Sequence, residues 1–202
     1  MIKTIIFDFG DVFLDLDKAA TLRELERMEI SDLSEEMLLH NRKYEKGLLS
    51  SEEFIQYYCD YYPQLTSEAF KKSWNAILLK FPEHRLEFLQ KLKQEGKYRL
   101  ILLSNTNDIH IDWVKENIPF FEDFRNCFDA FYLSQELNLR KPEPSIFEYV
   151  LQKHHLKPKE TLFVDDTPEN TAAAARLNIN TWTIDPASED VVDLFEVKKE
   201  LF

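Results

Sequence analysis

Glycine is scarce in this sequence, with three residues in 202 (Gly10, Gly47 and Gly96), against about 7% in average proteins. Three isolated glycines cannot form a G-x-G-x-x-G or a G-x-x-x-x-G-K-[ST] motif. The usual glycine-rich loops that hold nucleotide phosphates are therefore excluded. Any phosphate that this protein binds must be held by other groups.

Acidic residues outnumber basic ones, and cysteines and long apolar runs are few. With 37 acidic and 25 basic residues the formal net charge is -12, which repels nucleic acids and anionic membrane surfaces, so we expect neither as a partner. No apolar run approaches the roughly 20 residues of a membrane span, and the N-terminus reaches Asp8 too soon for a secretory signal. Cys59 and Cys127 are isolated, so no disulfide framework or cysteine zinc site is indicated. These features predict a soluble, cytoplasmic protein.

Short apolar runs that alternate with helical patterns predict an α/β fold. Five such runs are typical of buried strands: 2–7, 100–103, 130–133, 161–164 and 181–184. Helical patterns separate the last four. Pro82, Pro144 and Pro168 are placed to open helices, and Gly96 to end the first of them. We therefore predict a doubly wound, Rossmann-like parallel sheet that is covered by helices on both faces.

A helical insertion interrupts this pattern after the first strand. Ser34 can cap a helix that ends near Gly47, and Ser50 and Glu53 have the spacing of a capping box. Two aromatic-rich stripes at helical spacing favour a small helical core over a ligand site: Phe54, Tyr57, Tyr58 and Tyr61, and Phe70, Trp74 and Ile77. We predict that residues 17–81 form this insertion between the two parts of the core, 1–16 and 82–202. The tail, 188–202, suggests a final helix.

Polar residues follow three of the predicted strands: Asp8, Ser104 to Asn107, and the pair Asp165 and Asp166. Ligands of open α/β sheets bind at the carboxyl ends of strands. A lone aspartate there is usually a helix cap or turn former, but adjacent like charges need a cation or a raised pKa. Asp8 and the aspartate pair would offer oxygen ligands suited to Mg²⁺. Lys141, which alone would be a surface lysine, could add positive charge for an anionic substrate.

Asp8 in Ile-Ile-Phe-Asp-Phe-Gly, Ser104-Asn105, Lys141-Pro142 and Asp165-Asp166 follow the order and approximate spacing of four known motifs. Over essentially its whole length the sequence resembles the haloacid dehalogenase-like hydrolases. The insertion is similar to their small helical cap. The stretches 103–107 and 132–143 resemble the bacterial alpha-D-glucose-1-phosphate phosphatase branch. The resemblance implies a Mg²⁺-dependent phosphatase for a small phosphorylated metabolite, with a sugar phosphate such as glucose 1-phosphate favoured.

The resemblance also implies roles for the motif residues. Asp8 would attack phosphorus and form an aspartyl-phosphate. The Ser104 hydroxyl and the Asn105 backbone N–H would hold phosphate oxygens, and Lys141 would offset charge and fix Asp8. The metal ligands would be Asp8, the Gly10 backbone carbonyl and Asp166, with Asp165 acting through water or orienting Asp166 and Lys141.

One position departs from the family pattern. Phosphatases of this superfamily commonly carry a second aspartate two residues after the nucleophile, as general acid and base. Here that position is Gly10, followed by Asp11. General acid–base assistance contributes ~10²–10⁴ in rate, although the glucose-1-phosphate branch shares the glycine. Either Asp11 takes over proton transfer or it only shapes the turn.

Two other functions are consistent with the motifs. A haloacid dehalogenase would use Asp8 on a carbon–halogen bond without a metal, so the pair Asp165 and Asp166 counts against it. A binding or regulatory protein that lost its acid/base at Gly10 would keep the metal and phosphate groups. No feature of the sequence indicates the oligomeric state. Five polar or aromatic residues near helix ends of the insertion are assigned no site role, because cap structure or the surface explains them: Arg42, Tyr44, Glu45, Trp74 and Asn75.

Overall fold

The computed structural model describes residues 1–30 and 33–202. Within these residues there are five strands: β1 (Thr4–Phe7), β2 (Arg99–Ser104), β3 (Ala130–Leu133), β4 (Thr161–Asp165) and β5 (Asn180–Thr183). They form one parallel sheet in the order β3-β2-β1-β4-β5. Each predicted strand is present, and the parallel α/β fold is confirmed.

Helices cover the sheet and form a separate group before β2. They are α1 (Ala20–Glu26), α2 (Glu35–Glu45), α3 (Ser51–Tyr61), α4 (Ser67–Asn75), α5 (Glu83–Glu95), α6 (Asp108–Asn117), α7 (Phe121–Asn126), α8 (Ser134–Leu137), α9 (Pro144–Lys153), α10 (Pro168–Arg176) and α11 (Leu194–Val197). Pro144 and Pro168 open their helices at the first position. Gly96 ends α5 in the left-handed conformation, with φ 62°. Within the described ranges, every helix is too short or too polar to span a bilayer.

The sheet is buried on both faces, because successive side chains of a strand point in opposite directions. In β1, Ile5 and Phe7 pack into a cluster with α5, α6 and α7, whereas Ile6 packs with α9 and α10 on the other face. The same alternation occurs in β2 and β4. Burial on both faces explains why these strands are apolar at nearly every position.

Helices α1 to α4, here called the helical lobe, have their own hydrophobic cluster, which Ile109 of α6 joins. Aromatic rings fill it, with Tyr44 and Phe54 stacked at 4.0 Å between centroids. The predicted caps are present: Ser34 accepts a hydrogen bond from the Met37 backbone N–H, and Ser50 and Glu53 form a capping box.

Three details of the predicted elements were wrong. Tyr61 lies on the solvent side of α3, with 57% of its surface exposed. Ile77 lies beyond the end of α4 and packs against the cluster of the sheet instead. The predicted helix over 188–202 is broken into two 3₁₀ turns and the single short helix α11, which pack their few apolar side chains against the sheet.

Two adjacent chain segments join the helical lobe to the sheet. The Asp15 N–H donates to the Lys80 carbonyl at 2.9 Å, and the Leu79 N–H returns a bond to the Asp15 carbonyl at 3.0 Å. The Asp17 N–H also donates to the Ile77 carbonyl at 2.9 Å. The chain therefore leaves and re-enters the sheet region side by side, at one edge of the cleft described below.

Candidate active site

The carboxyl ends of three neighbouring strands bring the predicted site residues together. Asp8 directly follows β1, and its N–H donates to the Val164 carbonyl of β4 at 2.9 Å. Ser104 ends β2 and Asp165 ends β4. Because β1 lies between β2 and β4, these side chains meet at one edge of the sheet, where ligands of open α/β sheets bind.

Lys141 links two of the aspartates at this edge. Its ammonium lies 2.8 Å from Asp8 Oδ1 and 2.6 Å from Asp165 Oδ2, and its side chain is fully buried. Burial alone would lower the pKa of Lys141, but the carboxylates of Asp165 and Asp8 raise it above its ordinary value. Lys141 is therefore a charged residue of the site's interior and not a surface lysine.

The Asp8 carboxylate is itself strongly perturbed. Burial raises its pKa to about 7, with Asp165 adding to the rise and Lys141 opposing it. Carboxylate oxygens of Asp8, Asp165 and Asp166 all lie within 4.8 Å of one another. A hard divalent cation prefers such an all-oxygen set of ligands. Its positive charge would offset the repulsion between the three carboxylates, which burial shields poorly from one another. The donor set therefore fits Mg²⁺.

Asp165 and Asp166 have different hydrogen-bond partners. Asp165 Oδ1 accepts from the Thr167 N–H at 2.8 Å and from the Asn170 amide at 3.0 Å. Its Oδ2 accepts from Lys141 and from the Asn170 amide at 3.1 Å. Asp166 accepts from the Thr167 hydroxyl at 3.3 Å. The oxygens of Asp165 are thus occupied by protein donors, and those of Asp166 less so.

Lys18 is a site residue that sequence reasoning missed. Its ammonium contacts Asp166 Oδ2 and lies 3.0 Å from Asp11 Oδ2. Asp11 Oδ1 accepts from the Leu16 N–H at 2.8 Å, and the Asp11 backbone has φ 53°. No spacing rule marks Lys18, since it precedes α1 in an irregular, acid-rich segment. Its pairing depends on the turn that Asp11 holds.

Asn105 contacts the segment that carries Lys141. Its side-chain amide donates to the Lys141 carbonyl at 2.8 Å, and its Oδ1 accepts from the Lys141 N–H at 2.9 Å. These two bonds fix the backbone of Lys141, a role for the Asn105 side chain that sequence reasoning did not predict. Ser104 is buried and lines the cleft beside it.

Gly10 lines the cleft next to Asp8. A Cβ atom at this position would lie 2.6 Å from Leu16 Cδ1. An aspartate at this position would therefore require Leu16 to move. Leu16 therefore packs in the space that a side chain at position 10 would need.

The cleft above the strand ends consists of two adjoining cavities that share Gly10, Lys18, Glu45 and Asn105. The lower cavity, of about 430 Å³, contains Asp8, Asp166, Arg140 and Lys141 in its lining. The upper cavity, of about 310 Å³, contains Ser104 and extends to the helical lobe. Its further polar lining includes Thr21, Asn107 and His110. The arrangement places a small, mixed polar and apolar chamber directly above the buried carboxylates.

His110 connects α6 to the helical lobe at the wall of the upper cavity. Its Nε2 donates to the Trp74 carbonyl at 3.1 Å, and its Nδ1 accepts from the Asn107 amide at 3.1 Å. The Trp74 indole N–H donates to Asn107 Oδ1 at 3.4 Å. These partners define the neutral tautomer of His110, and burial lowers its pKa to about 4.

Residues 2–178 match the haloacid dehalogenase-like hydrolase family. A D-ribitol-5-phosphate phosphatase of Bacteroides thetaiotaomicron is 30% identical over 192 residues, which cover 90% of this chain and 91% of the relative. The chain is a haloacid dehalogenase-like hydrolase. This confirms the superfamily resemblance of the four motifs.

Solved structures of similar hydrolases share the whole fold. A haloacid dehalogenase-family enzyme of Bacteroides thetaiotaomicron, in complex with magnesium and inorganic phosphate, is 34% identical with a TM-score of 0.83; the match covers 96% of this chain and 100% of that one. A HAD-like family hydrolase of Porphyromonas gingivalis is 29% identical with a TM-score of 0.84, over 100% of this chain and 98% of that one. These relatives and the family match assign the hydrolase to the phosphatases of the family. Its acidic cluster could hold a divalent metal ion such as the magnesium in the structure of the Bacteroides enzyme.

Proposed function

We propose that this hydrolase removes phosphate from a sugar phosphate, such as glucose 1-phosphate, or from a closely related polyol phosphate. The observation that carries the proposal is the buried Asp8 carboxylate, which is ion-paired to Lys141 beneath a chamber of metabolite size. The similarity to a D-ribitol-5-phosphate phosphatase supports the same substrate class.

Asp8 acts as the nucleophile in this proposal. Lys141 contacts Oδ1 of Asp8, so Oδ2 is the oxygen that remains to attack phosphorus. The attack forms an aspartyl-phosphate as the phosphorus–oxygen bond to the alcohol breaks, and the alcohol oxygen takes a proton from solvent water. A water molecule then attacks phosphorus and gives a proton to solvent, and the phosphorus–oxygen bond to Asp8 breaks, which releases inorganic phosphate and regenerates the Asp8 carboxylate. Two displacements replace one difficult hydrolysis.

Asp8, Asp166 and the Gly10 backbone carbonyl would hold Mg²⁺, which supplies positive charge for the transferring phosphoryl group. Asp165 would act indirectly, since its oxygens already accept hydrogen bonds from Lys141 and Asn170. For Asp166 to bind the metal, Lys18 would have to release its carboxylate. The Lys18 ammonium would then stay paired with the Asp11 carboxylate.

Ser104 and Asn105 would bind the phosphate oxygens, through the Ser104 hydroxyl and the Asn105 backbone N–H. The Asn105 side chain is engaged with the Lys141 backbone, so only its N–H is offered to substrate. Phosphoryl transfer depends mainly on such positioning and charge stabilisation.

We further propose that residues 17–81 form the cap of this hydrolase, with 1–16 and 82–202 as the core. Four helices of this segment share one hydrophobic cluster, and the two chain connections lie side by side. Residues 31 and 32 lie outside the described part. The cap would complete the upper cavity and set the substrate. The cytoplasmic location stays a prediction.

The test is phosphate release with and without Mg²⁺. We expect p-nitrophenyl phosphate to be hydrolysed with Mg²⁺ and not with EDTA, and Asp8→Asn to abolish the activity because it removes the attacking carboxylate. A panel of sugar 1-phosphates, sugar 6-phosphates, polyol phosphates and nucleotides then identifies the substrate. Equal release with EDTA, or activity retained by Asp8→Asn, would contradict the mechanism; no release at all is the result expected of a binding protein or a dehalogenase.

A further inference from the structure

Glu45, the last residue of α2, is a half-buried carboxylate that lines both cavities of the cleft. The Arg140 Nε–H donates to its Oε2 at 2.9 Å, and a terminal nitrogen of the same guanidinium lies 2.9 Å from that oxygen. Within residues 1–30 and 33–202, Oε1 accepts no hydrogen bond. One carboxylate oxygen is therefore fully engaged, and the other is available to a ligand.

The carboxylate of Glu45 is partly desolvated. Burial raises the pKa of Glu45 above its ordinary value, although the Arg140 guanidinium opposes this rise. A partly desolvated acceptor without a donor costs free energy that a ligand hydroxyl could recover. The free oxygen of Glu45 is thus a favourable acceptor for a donor that enters the cleft.

The end of α2 is held firmly against the segment that carries Lys141. Lys46 pairs with Glu143 at 2.7 Å, and the Asn138 amide donates to the Lys46 carbonyl at 2.8 Å. A Cβ atom at Gly47 would lie 2.0 Å from the Gln135 carbonyl oxygen, so the two backbones touch. Because Arg140 precedes Lys141, these contacts fix Glu45 relative to the reacting groups.

The charged side chains of the upper cavity also favour a particular kind of ligand. Among the described residues that line it, the charged side chains are Lys18 and Glu45. Lys18 is already paired with Asp11 and Asp166, whereas the other polar groups of the lining are neutral. Arg140, the ion-pair partner of Glu45, lines the lower cavity and not the upper one. In the upper cavity Glu45 would therefore attract a hydroxyl group and repel a second anionic group.

We propose that Glu45 determines specificity: Oε1 accepts a hydrogen bond from a hydroxyl group of the alcohol part of the substrate. Its negative charge would exclude substrates with a carboxylate or a second phosphate beyond the scissile one. The substrate class is thereby narrowed to monophosphates of neutral polyhydroxy compounds. This inference rests on the proposed phosphatase function and adds the residue that selects the leaving group.

The test compares Glu45→Gln with the unaltered hydrolase on three substrates: p-nitrophenyl phosphate, the best polyol or sugar monophosphate, and the matching bisphosphate. The variant keeps the shape of the side chain, and its amide oxygen can still accept from Arg140. We expect kcat/KM for the monophosphate to fall about ten- to hundredfold, the range for a lost hydrogen bond to a charged group. p-Nitrophenyl phosphate, which has no hydroxyl to donate, should change less than about twofold, and discrimination against the bisphosphate should shrink about tenfold.

Glu36→Gln is the matched control, because it makes the same change at an exposed residue of α2 that does not line the cleft. Its substrate ratios should equal those of the unaltered protein. As a second measurement on unaltered protein, deoxy analogues of the monophosphate should lose kcat/KM where the hydroxyl that Glu45 accepts is missing.

Equal losses for all three substrates in Glu45→Gln, or an unchanged preference for the monophosphate, would overturn the role of Glu45. If no deoxy analogue loses kcat/KM, the hydroxyl contact is likewise refuted. Failure of the unaltered protein to hydrolyse p-nitrophenyl phosphate would instead contradict the proposed function itself. The two failures are therefore distinguishable.

Discussion

Asp165 and Asp166 are adjacent in sequence, yet their surroundings give them different tasks. Asp165 ends β4 and points toward Lys141 and Asn170, which occupy its oxygens. Asp166 instead contacts Lys18, a long and partly exposed side chain that a cation can displace. This contrast leads to a prediction for each carboxylate.

Asp166→Ala should raise the Mg²⁺ concentration needed for half-maximal activity at least about tenfold, because it removes a direct ligand of the proposed metal site. Asp165→Asn should weaken Mg²⁺ less but lower the free energy of unfolding by about 3 kcal/mol, since it breaks a buried ion pair with Lys141. Calorimetric Mg²⁺ titration and urea unfolding separate the two effects. A larger loss of Mg²⁺ affinity in Asp165→Asn would reverse the assignment.

Asp11 is placed to shape the turn after the nucleophile. Its Oδ1 accepts from the Leu16 N–H, and its Oδ2 pairs with Lys18. Asn keeps one side-chain oxygen and tolerates the left-handed backbone of this position. We therefore expect Asp11→Asn to reduce kcat less than about tenfold, and equally for good and poor leaving groups.

The comparison of p-nitrophenyl phosphate with an alkyl phosphate checks this expectation. A general acid or base contributes ~10²–10⁴ in rate, and its loss is felt most where the leaving group needs a proton. A large loss in Asp11→Asn that is confined to the alkyl phosphate would show that Asp11 transfers the proton.

At the residue scale, the sequence predicts groups that follow strands and misses groups that meet through loops. The positions of Asp8 and Asp165 follow from strand ends and parallel pairing. Lys18, Glu45 and the Asn105 side chain reach the site through contacts between segments that are far apart in the chain, for which no periodic pattern exists. Their partners become visible only when the chain is folded.

At the scale of elements, Gly47 lies where the end of α2 contacts α8. Comparison with Gly96 separates the steric effect of a side chain at Gly47 from the effect of the backbone conformation. Gly47 and Gly96 both have φ +62°, the left-handed region that favours glycine. A Cβ atom at Gly47 would lie 2.0 Å from the Gln135 carbonyl oxygen, whereas one at Gly96 would meet nothing within 4 Å. The two positions share the left-handed backbone conformation and differ in steric contact.

Gly96→Ala should lower the free energy of unfolding by about 1 kcal/mol, the cost of the left-handed conformation alone. Gly47→Ala should lower it by about 3 kcal/mol or more, because the methyl group also forces α2 away from α8. Urea unfolding of both variants measures the difference. If both variants lose the same free energy of unfolding, α2 and α8 can move apart at Gly47 without a loss of stability.

Sequence signals predict the starts of helices correctly where a local hydrogen bond determines them. They fail where packing against distant elements determines whether a helix forms or which side chains are buried. Ser34 and Ser50 predict their helix starts because a capping bond closes within four residues. Tyr61 continues an aromatic spacing yet faces solvent, since no element of the described ranges buries the end of α3. The tail after 188 is apolar enough to suggest a helix, but its contacts with the sheet break it into short turns.

For the whole molecule, two junctions hold the helical lobe over the strand ends. Glu45 and Arg140 form one of them, and Trp74 with His110 forms the other. The sequence predicts the insertion and its helices, but not how the lobe is seated, since both junctions join residues far apart in the chain. Separating the lobe from the sheet would break the hydrogen bonds of both junctions.

The second junction makes the stability of the hydrolase depend on pH through His110. Its pKa is lowered by burial from 6.5 to about 4 in the folded protein, so the unfolded chain binds the additional proton between these values. Stability from this group is therefore complete above about pH 6.5 and is lost as the pH falls toward 4. The lowered pKa corresponds to up to about 3 kcal/mol.

His110→Gln removes the titrating group while it keeps a side chain that can donate to the Trp74 carbonyl. We expect the free energy of unfolding of the unaltered protein to fall more steeply between about pH 7 and pH 4.5 than that of the variant, by about 2–3 kcal/mol in total. Urea unfolding at several pH values, followed by tryptophan fluorescence, measures this difference. Parallel pH dependences would mean that His110 is protonated without cost in the folded state, and that the Asn107 amide does not require its neutral form. A steeper fall in the unaltered protein would identify this junction as the acid-sensitive contact between the helical lobe and the sheet.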